Sequence, residues 1–437
     1  MATPTVLSVF LTDLDTRAAV KGSRDPLGIQ SVWTRFGRHV VGNLTTVSTS
    51  VRDFTVTILG YYLVDRLRES LGSERDLATF LKWEQLAAYA RGAINDDWEF
   101  RGTEKARRNL DDGEGRVRLS EQALDQILGN QKIYGLWGLY TAPSRASGLV
   151  IDDPVRLTPP AVELVEHFYL KVLRDGGLAS LDPLLDLLSK DRADLHVQGR
   201  HATLLKSVAV LLKQTFSRQE REFYREHLLH GGPEDRTEGL QRQLAELLEP
   251  TLKVADVHWL DVIQHVIKDA SARGPEWEGL AYRLDRIRTI ESVLAPSSYL
   301  FSYLLGCDGQ SLDEVSGLID DAWGNHVPRI DPGELELLRP ELDLALPDSG
   351  DRWHRLGASL SSGNYAEAIE LMLHQNSEVM AARGGAAAWI ELADRRLRVR
   401  FHDDADQLPT RKELTSLWRF PYFIESLRTV ASTLGVS

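Results

Sequence analysis

His258, Asp261 and His265 stand at i, i+3 and i+7, so a helix through this stretch puts two imidazoles and a carboxylate on one face. That donor set can give three ligands to a divalent metal. The fourth ligand is not visible in the sequence, and a solvated or locally hydrogen-bonded stripe explains the spacing equally well. Glu226, His227 and His230 form a second group with the same weakness. A third group is cationic. Arg396, Arg398 and Arg400 alternate with Leu397, Val399 and Phe401. On a strand the three guanidinium groups share one face, about 7 Å apart, with the apolar residues on the other. Such a row suits a phosphate backbone, and it suits a solvated strand face as well.

Other chemistries lack their residues. No Gly-Lys pair occurs in the chain, so there is no P-loop, and GxGxxG, GxSxG and HExxH are absent too. Cys307, the single cysteine, sits in Leu-Gly-Cys-Asp-Gly with no histidine nearby to activate it, and reads as structural. One cysteine permits neither an intrachain disulfide nor a multi-cysteine zinc site, which fits a reducing compartment. Arg225 with His230, and Arg221 with His227, match the Arg-then-His spacing of helical RNases of the HEPN type. Pairs of this kind are about as frequent here as chance placement makes them.

The segment SGLVIDDPVRLTPPAVELVE, from Ser147 to Glu166, resembles the end of a winged-helix domain. Its residues suit that reading independently. Leu149, Val150 and Ile151 are strand formers, Asp152-Asp153-Pro154 is turn material, and Val155-Arg156-Leu157 can pair back. Thr158 is a good N-cap, with Pro159 at the first helical position. Ser120–Leu128 and Gln131–Tyr140 are the expected helix-turn-helix pair. The resemblance implies that Lys132, Ser144 and Arg145 face a DNA groove, with Arg156 on the wing beside a phosphate. Three features depart from the pattern. Pro143 falls inside the recognition helix, residues 131–140 are mostly apolar, and Asp152 and Asp153 put negative charge on the wing.

The elements that position these groups are mainly helical. Ile29, Val32, Trp33, Phe36 and Val40 make one amphipathic stripe. Ser50 and Asp53 have capping-box spacing ahead of a helix over 54–67 that is apolar nearly all round. Further helices are expected over 77–91, from 204 to about 230, at 237–249 and 254–270, and from Tyr422 to Leu434. Residues 92–118 read as a loop. Residues 356–376 have the pattern of one helical hairpin, and 388–401 that of a β-hairpin around Ala393-Asp394-Arg395-Arg396. The fold class expected is mainly α and multi-helical, with a winged-helix-like segment and a C-terminal β-hairpin. The expected order is an N-terminal helical domain (1–95), the winged-helix-like segment (96–175), a helical domain (176–327), an acidic linker (328–351) and a C-terminal α+β region (352–437).

Charge sharpens the reading. The formal net charge is −13, yet residues 311–351 alone hold eleven acidic side chains against Arg329 and Arg339, while 352–437 sum to +1. The acidity is therefore local, and the arginine-bearing regions can still face phosphates. An apolar patch at 5–11 lacks the basic lead of a signal peptide. The longest apolar stretch, 54–64, is short of a membrane span, so a cytoplasmic protein without membrane attachment is expected.

YGLWGLYTAPSRASGL and WRFPYFIESL resemble segments of uncharacterised bacterial accessory proteins of phage-defence operons. That resemblance implies a non-catalytic subunit of a multi-protein antiviral system; with the winged-helix-like segment, the expectation is a DNA-associated adaptor partnered by other subunits of its operon and by DNA, with no cofactor. Trp418, Phe420, Tyr422 and Phe423 are its candidate docking residues, with core packing as the alternative. A HEPN-like or metal-dependent nuclease and a winged-helix repressor are the competing expectations.

Overall fold

The computed structural model describes residues 25–435 apart from 152, 153, 386 and 402–405. The chain is mainly helical, with three two-stranded antiparallel sheets among the described residues. It divides into two compact units, each assembled from separated stretches. One runs up to Val40 and takes in Val254–Tyr422; the other holds Val41–Lys253 and the end of the chain from Phe423. No helix of the described residues is long and apolar enough to cross a membrane.

The core of the 41–253 unit is a pair of helices, Val51–Leu71 and Asp76–Asn95, both buried over most of their length. Ser50 starts the first by accepting the Asp53 N–H, as the capping spacing predicts. A glycine is required at position 60, because a Cβ there would lie 2.7 Å from the Phe80 ring and 2.8 Å from Trp83. The close approach lets the Trp83 indole donate to the Val56 carbonyl at 2.8 Å.

The stretch 92–118 is more ordered than its polar composition suggests. It forms a helix, Thr103–Asp112, and then β1 (Arg116–Leu119). The flap is present as β2 (Val150–Ile151) and β3 (Arg156–Leu157), and β4 (Ala193–His196) pairs antiparallel with β1. No sequence-local signal marks β1, since its partner lies far along the chain. Ser120–Leu128 is not a helix. There the Ser120 hydroxyl donates to Asp125 at 2.6 Å and accepts the Gln122 N–H, which holds a series of turns instead.

The flap follows a short helix, Gln131–Tyr134, and a second, Leu136–Ala146, that carries Pro143 in its last turn. Pro159 opens the closing helix Pro159–Leu164. Thr158 stands at the N-cap position, but its hydroxyl donates to the Gly148 carbonyl at 2.8 Å and ties the flap shut rather than capping the helix. The long helix expected from 204 breaks. Ala202–Leu211 ends, and Arg218–Tyr224 restarts from a capping box made by Ser217 and Glu220.

In the other unit the longest helix, Glu278–Leu304, packs against Ile29–Arg38. The helical hairpin is Gly350–Ser361 and Tyr365–Ala382, turned at Gly363 (φ 71°) and capped by Asn364. The acidic stretch 328–351 forms two short helices, Pro332–Glu336 and Arg339–Ala345, held by buried Leu335, Leu338 and Leu342. β5 (Ile390–Ala393) and β6 (Arg396–Val399) pair with Ile390 opposite Val399 and Ala393 opposite Arg396.

Candidate functional site

The β5–β6 hairpin is fixed on both edges. β5 covers one side of β6, and on the other the 309–312 segment exchanges Gly309 N–H to Leu397 carbonyl (2.8 Å) and Leu397 N–H to Gln310 carbonyl (2.9 Å). The Asp308 carboxylate also accepts the Val399 N–H at 2.8 Å. This mounting buries Leu397 and Val399 and turns Arg396, Arg398 and Arg400 outward together. The expected cationic row is therefore physically present. Two of its members have partners. Arg396 donates to the Gly309 carbonyl at 2.8 Å and Arg400 to Glu391 at 2.7 Å, both at the surface.

The row runs along β6 from the Asp394-Arg395 turn to the open end of the hairpin. There a groove of about 820 Å3 begins, lined by Trp33, Phe301, Trp389, Phe401, Phe420 and Arg419. Its volume lies within the range of small-molecule and peptide-sized sites. Trp389 immediately precedes β5 and Phe401 lies two residues beyond β6. Their rings stack with centroids 4.2 Å apart and planes 30° from parallel. The Arg400 N–H donates to the Trp389 carbonyl at 2.8 Å, so the last arginine of the row and the aromatic pair are one rigid piece. Phe401 remains 40% exposed, whereas Trp389 is buried.

Glu291, in the middle of the 278–304 helix, holds the opposite wall. Its carboxylate accepts the N–H groups of Arg419 and Phe420, the latter at 3.2 Å, and the Tyr422 hydroxyl at 2.7 Å. Burial pushes the Glu291 carboxyl up to about 7. Arg419 lies over the Tyr299 ring at 4.0 Å and meets Asp406 at 3.4 Å. Of the four aromatic residues expected to dock a partner, Tyr422 and Phe423 belong to the interior. Trp418 and Phe420 are half-buried, and Phe420 reaches the groove. Trp389, Phe401 and Glu291 carry no motif. The signal for the first two was their place at the hairpin's ends, where a strand's last aromatic side chains have no strand neighbour to cover them.

The flap positions are less suited to a groove in DNA. Ser144 is fully buried, with a hydroxyl that has no hydrogen-bond partner, so it cannot reach a ligand. Arg156 is exposed but faces Asp65 at 3.5 Å, and Arg68 of the same helix donates to the Val155 carbonyl at 3.0 Å. The wing thus lies down on the 51–71 helix. Lys132 and Arg145 are exposed.

The histidine groups separate. His227 is buried, stacked on Phe223 at 4.4 Å, with Nδ1 at 2.8 Å from the Ser147 carbonyl, and burial holds its imidazole below the usual value. His230 pairs with Glu226 at 3.1 Å. His258 and Asp261 are exposed, and His265 pairs with Asp269 at 3.2 Å; among the described residues no three His, Cys, Asp or Glu side chains converge as a metal site would need. Cys307 is buried, and burial pushes its thiol up.

The 41–253 unit holds a second polar cluster that sequence reasoning did not find. Arg91 donates to Asp53 at 2.7 Å and to Asp97 at 2.8 Å. Nearby, Glu84 accepts the Gln131 amide and the Leu136 N–H, both at 2.8 Å. Burial pushes Glu84 up to about 7. Asp53, Glu84 and Arg91 line a cavity and resemble acid–base machinery, but that cavity measures about 20 Å3. It has room for one water and no substrate.

Comparison with protein-family models, with curated proteins and with solved structures finds no match to this chain.

Proposed function

We propose that this chain acts by binding: it is a DNA-associated subunit that engages a nucleic-acid backbone with the outer face of its C-terminal hairpin. The observation that carries the reading is the row Arg396, Arg398 and Arg400, exposed together on a strand pinned at both edges. Side chains two residues apart on a strand stand about 7 Å apart, close to the spacing of successive phosphates along one strand. The flap supports the reading less, because Ser144 is buried and Arg156 already faces Asp65. Membership of a multi-protein antiviral assembly rests on the sequence resemblance to phage-defence accessory proteins alone.

The test is binding of a labelled oligonucleotide across a salt series. Each phosphate neutralised contributes a slope of about −0.7 to −0.9 in log K against log salt. Replacing Arg396, Arg398 and Arg400 together by Gln flattens that slope by about two units on the same scale. An unchanged affinity and slope in the triple variant overturn the proposal.

A further inference from the structure

We infer that the groove at the open end of the hairpin stacks unpaired bases, so that the nucleic acid held by the arginine row is single-stranded. The inference rests on the proposed nucleic-acid role and specifies its substrate class. Three observations carry it. First, the cationic row ends at the groove: Arg400 is followed directly by Phe401, and its N–H is bonded to the Trp389 carbonyl. A strand whose phosphates follow β6 therefore delivers its bases to the aromatic rings. Second, the ring is both supported and accessible. Phe401 is backed on one side by Trp389 at 4.2 Å and is 40% exposed. Base stacking needs a supported aromatic plane with an accessible side, and it is indifferent to base identity. A duplex cannot use such a plane, because its bases already stack on one another.

Third, the groove has the size and edges for more than one base. Its volume is about 820 Å3. Phe420 adds a half-buried ring, Gln30 and Ser298 bring an amide and a hydroxyl, and Arg419 adds a cation at the mouth. Among the described residues, the acidic groups facing this region include Glu391 on Arg400, Asp406 on Arg419, Asp25, which pairs with Arg383 at 3.0 Å, and Asp308, which accepts the Val399 N–H at 2.8 Å. The first two pairs are at the surface, where solvent screening keeps them weak enough for phosphates to displace.

The experiment compares the full-length chain's affinity for four labelled probes of equal length: single-stranded DNA, single-stranded RNA, an abasic DNA strand and a DNA duplex. The expected result is binding of the DNA or RNA single strand about tenfold tighter than the abasic strand or the duplex. Phe401→Ala brings the single-strand affinity down to the abasic level and leaves the salt slope unchanged, whereas the triple Arg→Gln variant flattens the slope for every probe. Phe401→Leu keeps an apolar side chain without a stacking plane, and it behaves as Phe401→Ala does while melting at the wild-type temperature. Equal affinity for abasic and base-bearing strands, or full affinity in Phe401→Leu, overturns the stacking inference and leaves the arginine row standing. Absence of binding to all four probes overturns both.

Discussion

Glu84 and Glu291 lie in different units, and each is a buried carboxyl in the middle of a long helix, pushed by burial up to about 7. Each also accepts backbone N–H groups from a distant stretch of chain. Glu84 takes Leu136, where the chain breaks between two helices. A Cβ at Gly135 would lie 2.7 Å from its carboxylate, so only glycine admits that approach. Glu291 takes Arg419 and Phe420, on the wall of an open groove. Around Glu84 every further partner is internal: Gln131, then the Asp53–Arg91–Asp97 set beside a one-water cavity. Around Glu291 the chain leads outward, to Arg419, Asp406 and solvent. The same group fixes a core in one unit and the wall of an open groove in the other. What separates the two uses is whether the pinned segment's neighbours are themselves buried.

Matched arginine deletions give the largest separation. Arg91→Ala leaves Asp53 and Asp97 without their cation in the interior, which costs about 3–5 kcal/mol. Arg419→Ala removes a surface ion pair and a surface cation–π contact with Tyr299, each worth up to about 1 kcal/mol, and so costs at most about 2 kcal/mol. Urea denaturation of the two variants measures both. Equal losses would break the distinction between a closed cluster and an open one.

The two glutamates also set a pH dependence. Each ionises near 4.5 when unfolded and near 7 when folded. Between those values the folded chain holds protons that the unfolded chain has released, so stability falls as pH rises from 4.5 to 7 and is fully retained below 4.5. Each group contributes at most about 3 kcal/mol to that fall. Glu84→Gln and Glu291→Gln should each remove part of the slope, and the double variant nearly all of it. Glu341 works in the opposite sense. Burial raises it, but hydrogen bonds from His39 and Arg286 prevail and hold it at about 2, so its contribution is present above 4.5 and lost as pH falls toward 2. Stability measured from pH 3 to 8 should therefore peak between these two effects. A monotonic rise to pH 8 would show that neither glutamate is protonated in the folded protein.

Much of this architecture was legible because its causes are local. The β5–β6 hairpin follows from alternation, the flap from strand formers around a turn, and the 51–71 helix from a cap and an apolar run. Elements with distant causes were not. β1 exists because β4 lies beside it, and residues 120–128 fail to become a helix because Ser120 satisfies its own turns. The candidate site divides the same way. The arginine row could be read from spacing, while its continuation into an aromatic groove depends on the 278–304 and 29–38 helices and the 419–420 wall meeting there. Tyr422 and Phe423 look like docking residues by composition. Both are buried, Tyr422 because Glu291 draws its hydroxyl inward, and no local pattern contains that.

The smallest expected effect lies at the other end of the hairpin. Asp394 and Arg395 both have positive φ, 51° and 55°, as a two-residue turn between twisted strands requires. Aspartate tolerates that region, but arginine does not, and the left-handed region costs its side chain about 1 kcal/mol. Arg395 recovers little of this from Asp313, because the two side chains are 61% and 76% exposed. Arg395→Gly should therefore stabilise the protein by about 0.5–1 kcal/mol, seen as a raised melting temperature. Because Arg395 stands outside the row of Arg396, Arg398 and Arg400, oligonucleotide affinity should stay at the wild-type level. A stabilised variant with weakened binding would mean that the turn itself touches the strand, which would extend the open surface along the full length of β6.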